Sequence, residues 1–157
     1  MCGRYTLFTD RELKEIDDII QQLSNDPNRN MMKTGDICPT DIVPVLTTAM
    51  GRAVPHLFTW GFPSFHGKRV IINARSETIH EKPMFSASVE KRRCAVPSTG
   101  FYEWDPQKKK FLYNMPDSPV LFMAGIYNQF EGENRFVILT RTRIHLSLMY
   151  MRGCLSF

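Results

Sequence analysis

Residues 120–140 read Val-Leu-Phe-Met-Ala-Gly-Ile-Tyr-Asn-Gln-Phe-Glu-Gly-Glu-Asn-Arg-Phe-Val-Ile-Leu-Thr. Two β-type runs, Val120 to Tyr127 and Arg135 to Thr140, flank the polar, glycine-containing stretch Asn128 to Asn134, which is the pattern of an antiparallel hairpin. The same reading extends upstream. Further short apolar runs occur at Ile42 to Thr48, Ala53 to Trp60, Arg69 to Asn73, Arg92 to Pro97, Phe101 to Trp104 and Lys110 to Met115, separated by Gly, Pro, Asn and Asp. Asp105 to Lys109 divides the last two of these as a second hairpin turn. Near the N-terminus the period changes: Thr9 followed by Glu12 reads as a capping box, and Leu13, Ile16, Ile20 and Leu23 recur at helical spacing through Asn25. Pro27 and its polar neighbours end that helix. The expected fold class is therefore α+β and mainly antiparallel β, with one clear N-terminal helix and at most a second. A curled sheet or barrel follows, with a mouth able to hold a site.

Composition agrees with a single soluble domain. The chain has 157 residues, 43% hydrophobic and 23% charged, and a domain of this size buries roughly two-thirds of its unfolded surface without staples. No run approaches the roughly 20 apolar residues of a membrane span, and no basic-then-apolar signal opens the chain, so the expectation is a cytoplasmic protein without a membrane. Cys2, Cys38, Cys94 and Cys154 form no Cys-x-x-Cys pair, and His56, His66 and His80 have no metal-ligand spacing with them. No metal is assigned. A net charge of +4 leans mildly towards a polyanionic partner.

Cys2 is chemically unusual. Removal of Met1 leaves a cysteine with both a free α-amine and a thiol, groups that titrate near pH ~8 and ~8.5 and are partly nucleophilic at neutral pH. A 1,2-aminothiol condenses with an aldehyde to a five-membered thiazolidine. On position alone, the favoured reading is an accidental small residue after the initiator methionine.

Four blocks supply the context: Met1-Cys2-Gly3-Arg4-Tyr5, Trp60-Gly61-Phe62-Pro63, Asn73-Ala74-Arg75-Ser76-Glu77-Thr78 and Gly100-Phe101-Tyr102-Glu103-Trp104. In order and spacing they resemble the SRAP family, the abasic-site processing proteins that attach covalently to lesions in single-stranded DNA. The resemblance implies a barrel-like SRAP fold, a DNA-repair activity linked to the SOS response, and a partner, single-stranded DNA containing abasic sites. It also implies removal of Met1 by the protein itself, a lyase-like activity, no metal or organic cofactor and no obligate protein partner.

Residue by residue, Cys2 matches the family's crosslinking cysteine, and Asn73 its asparagine beside the nucleophile, where a neutral amide holds the amine by hydrogen bonds. From sequence alone Asn73 is as readily a strand-end amide. Glu103 matches the family's glutamate; apolar neighbours favour its protonated form and a role as proton shuttle, against the alternative of a solvated strand residue. Arg4 and Arg75 match arginines used on DNA phosphates, or are surface ion pairs. Trp60, with Phe62 and Pro63, matches an aromatic surface beside the lesion, or is a core tryptophan. Pro39 and Thr40 match a weaker DNA-contacting block. Lys91-Arg92-Arg93 and Lys108-Lys109-Lys110 suit a groove that tracks a phosphate backbone, although the second run reads equally well as a solvated hairpin tip.

The family's remaining histidine, in a His-Asp/Glu-Arg-Met-Pro block after the last strand, has no counterpart; the residues around His145 do not match it. One permitted back-translation of Ile144 to Phe157, read from its third base, gives Pro-Ser-Leu-Ile-Asp-Val-His-Glu-Arg-Met-Pro-Val-Ile, which contains the block. The expectation is a SRAP domain over 1–140, incomplete, followed by a frameshifted tail over 141–157. The competing function is a non-covalent single-strand binding remnant that lacks the histidine.

Overall fold

The computed structural model describes residues 3–9, 13–64, 67, 69–115 and 117–141. Cys2, Glu12, His66 and the tail from Thr142 onward, with His145, lie outside the described residues.

Strand β1 (Arg4–Leu7) precedes helix α1 (Lys14–Gln22). The helix starts later than the capping-box pattern suggests. Leu13 occupies the N-cap without a side-chain hydrogen bond, and Glu15 and Asp17 put negative charge in the first turn, where it meets the positive end of the helix dipole. Its buried residues are Ile16, Ile19 and Leu23; of the periodic set Leu13, Ile16, Ile20 and Leu23, the structure half-buries Leu13 and Ile20 and buries Ile19 in addition. A 3-10 turn, Arg29–Met31, leads to β2 (Gly35–Ile37), β3 (Ile42–Ala49) and β4 (Arg52–Trp60). Short strands β5 (Phe62–Pro63), β6 (Val70–Ile71) and β7 (Asn73–Arg75) follow. Then come a second 3-10 turn, Ile79–Glu81, and helix α2 (Pro83–Lys91), which the apolar periodicity does not announce. Proline at its first position is the local signal, since the ring presets the helical φ where no N–H is needed.

The described residues close with β8 (Arg93–Ser98), β9 (Gly100–Trp104), β10 (Lys110–Tyr113), β11 (Leu121–Phe130) and β12 (Glu133–Thr140). The two hairpins read from sequence form as expected. β11 and β12 extend further than their apolar runs and meet at a two-residue turn, Glu131-Gly132, with both φ angles positive, the primed geometry that fits the twist of paired strands.

Two sheets result. One is four-stranded and antiparallel, in the order β10-β9-β1-β2. The other runs β11-β8-β3-β4-β12-β7, and pairing of β11 with β12 closes it into a barrel. The ring of β11, β8, β3, β4 and β12 has no free edge, while β7 is attached through β12 as an edge strand. Most pairings are antiparallel, as expected. The exceptions lie along one side of β12, which pairs in parallel first with β4 (Arg135 with Thr59, Phe136 with Trp60) and then with β7 (Ile138 with Asn73, Thr140 with Arg75).

The main core lies between the sheets. Tyr5, Leu7, Ile37 and Phe101 from the first meet Val45, Phe58, Trp60, Phe136 and Ile138 from the barrel. Helix α1 covers Leu46 and Leu57 on the barrel's outside, while Phe85 of α2 packs with Ala74, Ile126 and Val137. Because β12 is covered on both faces, Phe136, Val137 and Ile138 are all buried, which is why its sequence runs apolar without alternation. Among the described residues no helix is long and apolar enough to cross a membrane.

Candidate active site at the barrel seam

β1 and β9 set the first half of the site. Arg4 pairs with Tyr102 and Tyr5 with Phe101. Side chains alternate along each strand, and directly opposed residues share a face. Arg4 and Tyr102 therefore lie on the outer face, whereas Tyr5, Phe101 and Glu103 lie on the face turned towards the core. Tyr5 and Phe101 are buried there, and Glu103 is half-buried at the rim, opposite the exposed Phe111 of β10. The Glu103 carboxyl thus borders an apolar interior without being sealed in it.

A hydroxyl clamp fixes this strand pair. Thr6 Oγ1 donates to Gly100 O at 3.2 Å and accepts from Thr99 Oγ1 at 2.9 Å. Gly100 is required by space, because a Cβ there would stand 2.8 Å from the Tyr113 carbonyl oxygen and 3.3 Å from Thr6 Oγ1. On the outer face, Tyr102 Oη donates to Asp36 Oδ1 at 3.1 Å, and Lys110 Nζ sits 3.6 Å from the centre of the Tyr102 ring. Burial, then the hydrogen bond and charge of Asp36, push the Tyr102 phenol above its ordinary range, while Arg4 pulls it down. Asp36 and Tyr102 carry no role in the sequence reading, and Lys110 enters it only as part of a basic run; strand register places all three on the face of Arg4.

β7 sets the second half. Ala74 is buried under α2, so by alternation Asn73 and Arg75 face the other way, with their β12 partners Ile138 and Thr140. Asn73 is half-buried with its side-chain oxygen enclosed, and Arg75 is exposed. The hydroxyl of Thr140 is also enclosed and has no hydrogen-bond partner among the described residues. This is the seam where β7 replaces β4 beside β12.

Trp60 joins the halves, and its position corrects the stacking role inferred from resemblance. The side chain is fully buried. Its ring meets Tyr5 edge-on at 5.2 Å and lies 6.4 Å from Phe136, and Nε1 donates to the carbonyl of Ile72, the residue before Asn73, at 3.1 Å. With its one polar atom satisfied and both faces packed, Trp60 has no free face for a base. Phe62 is likewise buried, against Phe85 and Phe130; of that block only Pro63 is exposed among the three apolar side chains. Trp60 instead holds the strand bearing Arg4 and the segment bearing Asn73 to one core.

Pro39 and Thr40 form a turn pinned to the same tryptophan. Thr40 N–H donates to Trp60 O at 2.8 Å, Trp60 N–H to Asp41 O at 3.0 Å, and Cys38 N–H to Asp41 Oδ2 at 2.8 Å. Thr40 adopts φ +78°, a left-handed conformation that a β-branched residue adopts only under constraint. Arg4, Thr40, Asn73 and Arg75 are thereby tied to Trp60 or its immediate neighbours, and Glu103 joins them through β1. Of the Lys91-Arg92-Arg93 run, Arg92 is turned back onto Ser88 Oγ at 3.3 Å and closes α2. Among the described residues no group of three or more His, Cys, Asp or Glu side chains is placed to hold a metal ion.

The family described as SOS response associated peptidase (SRAP) matches residues 1–147. The chain belongs to the SRAP family. Among curated relatives, the abasic site processing proteins YoqW and YobE of Bacillus subtilis are each 32% identical to it, over 83% and 84% of this chain and 62% and 65% of their own lengths. A third from that organism, YoaM, is 29% identical over 92% of this chain. The SRAP chain described here thus spans about two-thirds of the length of these relatives. Among solved structures, a protein from Bacteroides thetaiotaomicron superposes with a TM-score of 0.66 at 25% identity over 89% of this chain and 68% of its own. A phage-related protein from Bordetella bronchiseptica shares the fold at TM-score 0.61.

Proposed function

We propose that this protein processes abasic sites in single-stranded DNA by forming a covalent thiazolidine through Cys2 after removal of Met1. The observation that carries this reading is the family match over residues 1–147 together with relatives named as abasic site processing proteins. Ring opening of an abasic deoxyribose exposes an aldehyde. The α-amine of Cys2 attacks its carbon and one water leaves, giving an imine. The thiol then adds across the C=N bond, sulfur to carbon and proton to nitrogen, so the net loss is one water.

Glu103, half-buried at the rim of the apolar face, is the proton shuttle for the amine, the departing hydroxyl and the ring oxygen. Asn73 orients the amine without protonating it. Arg4 and Arg75 hold phosphates, and the Pro39-Thr40 turn borders the strand. Trp60 has no part in stacking. Removal of Met1 is taken as the protein's own act, in keeping with the peptidase in the family's description.

Incubation with an abasic single-stranded oligonucleotide is expected to give a denaturation-resistant species whose mass equals DNA plus the chain without Met1, less one water. Cys2→Ala, with Cys38 retained, is expected to abolish it. Retention of Met1 in the intact mass, or an adduct that survives in Cys2→Ala, overturns the reading. Salt-sensitive binding indifferent to the lesion establishes the non-covalent alternative instead.

A further inference from the structure

The β9–β10 hairpin carries Lys108, Lys109 and Lys110 in succession at its tip. The tip is a built turn. Asp105 N–H donates to Lys109 O at 3.1 Å, Lys108 N–H to Asp105 O at 2.9 Å, and Lys109 N–H to Asp105 Oδ1 at 2.8 Å. The turn's only carboxylate is thus engaged by its own backbone. Among the described residues, none of the three ammonium groups takes part in an ion pair. Lys108 adopts φ +64°, a conformation that glycine or asparagine occupies more readily. A cation stands there against local backbone preference.

Placement along the hairpin is directional. Lys110 pairs with Trp104 and Arg4 with Tyr102, so by alternation Arg4 and Lys110 share the outer face. Lys109 lies over the other face, its Nζ 5.3 Å from the centre of the exposed Phe111 ring. At about 3.3 Å per residue, the turn stands roughly 13 Å beyond Tyr102. Positive charge therefore continues from Arg4 at the site, through Lys110, to the tip.

We propose that this hairpin is an arm that holds the single strand flanking the lesion, with the three lysines on successive phosphates and Phe111 offering a face to a base. The inference rests on the proposed DNA substrate, and charge complementarity selects that occupant. Its test does not need the covalent step. Binding of lesion-free single-stranded oligonucleotides is measured against salt for the wild-type chain and for K108A/K109A/K110A. Each phosphate contact on a single strand contributes about 0.7 to the slope of log K against log salt, so the triple variant is expected to lose about 2 from that slope. The loss is expected on oligonucleotides long enough to leave the site on the hairpin side and to be absent on ones that end at the site. K108E/K109E is expected to weaken long-strand binding further while its thermal midpoint stays at the wild-type value. An unchanged slope, an equal loss on short and long strands, or absence of single-strand binding by the wild-type chain overturns the arm. The Cys2-dependent adduct on a short abasic oligonucleotide reads the proposed reaction separately, so either idea can fail alone.

Discussion

Replacing Trp60 by Phe separates a core role from a DNA-facing one. The indole is fully buried, packed on Tyr5 and Phe136, and its Nε1 is the donor to Ile72 O at 3.1 Å. Phenylalanine keeps an aromatic ring but removes the donor, leaving a carbonyl that has lost its partner, at about 1–3 kcal/mol. The smaller ring forfeits roughly a further 1 kcal/mol of packing, a fraction of the 3–5 kcal/mol lost when a buried Trp becomes Ala. Trp60→Phe should therefore destabilise by about 2–4 kcal/mol, within the 5–15 kcal/mol that domains possess. Urea unfolding reads this as a midpoint lowered by about 1–2 M at an m-value near 2 kcal/mol/M. Emission provides a second readout, since the sequence holds two tryptophans and Trp104 is 43% exposed. In a Trp104→Phe background, the remaining Trp60 should resist acrylamide and ignore added single-stranded DNA. A midpoint shift under 0.3 M, or strong quenching of Trp60 by either agent, would refute the packing argument.

Gly100→Ala forces a Cβ to 2.8 Å from a backbone oxygen; overpacking of that kind costs about 1–3 kcal/mol, so the thermal midpoint should drop by roughly 3–10 °C, measured by calorimetry. Burial pushes the Cys94 thiol well above its ordinary range, so peptide-level mass mapping of alkylated native protein should leave Cys94 unmodified and find it labelled after denaturation. The linkage follows in sign: above roughly pH 8.5 the unfolded thiol ionises while the folded one keeps its proton, so stability falls as pH rises, by up to about 1.4 kcal/mol per pH unit. Cys94→Ala should remove that component, as read by urea midpoints on either side of the transition. Asp36→Asn withdraws a charge that raises the Tyr102 phenol; a near-ultraviolet titration should then show this tyrosine ionising at lower pH than in the wild type, and an unchanged curve would contradict the assignment.

Much of the fold was legible because barrel strands covered on both faces are written as apolar runs, as in Phe136-Val137-Ile138. What escaped was short or locally ambiguous. Within Arg4–Leu7 the polar Thr6 is buried, covered by β9 and by the hydroxyl of the preceding Thr99. Gly35–Ile37 has three residues, too few to show a period. Helix α2 buries Phe85 and Ser88, a face that hydropathy alone does not mark. The site divides in the same way. Resemblance to the family singles out Asn73, Arg75 and Glu103 as candidates, yet whether Trp60 faces solvent depends on Tyr5 and Phe136, which are remote from it in sequence. Asp36 joins Arg4 and Tyr102 only through strand register.

The exchange of β4 for β7 along one side of β12 also orders events in time. Asn73 and Arg75 take their place in the sheet through strand pairing with Ile138 to Thr140, near the end of the described chain. Contacts of such long range form late, since loop closure must precede them. During synthesis the N-terminal residues emerge first, long before the strand that positions Asn73 exists. On the proposed chemistry, the amide assigned to orient the Cys2 amine thus takes its place only when β12 closes the barrel, so the site would be assembled only in the folded protein.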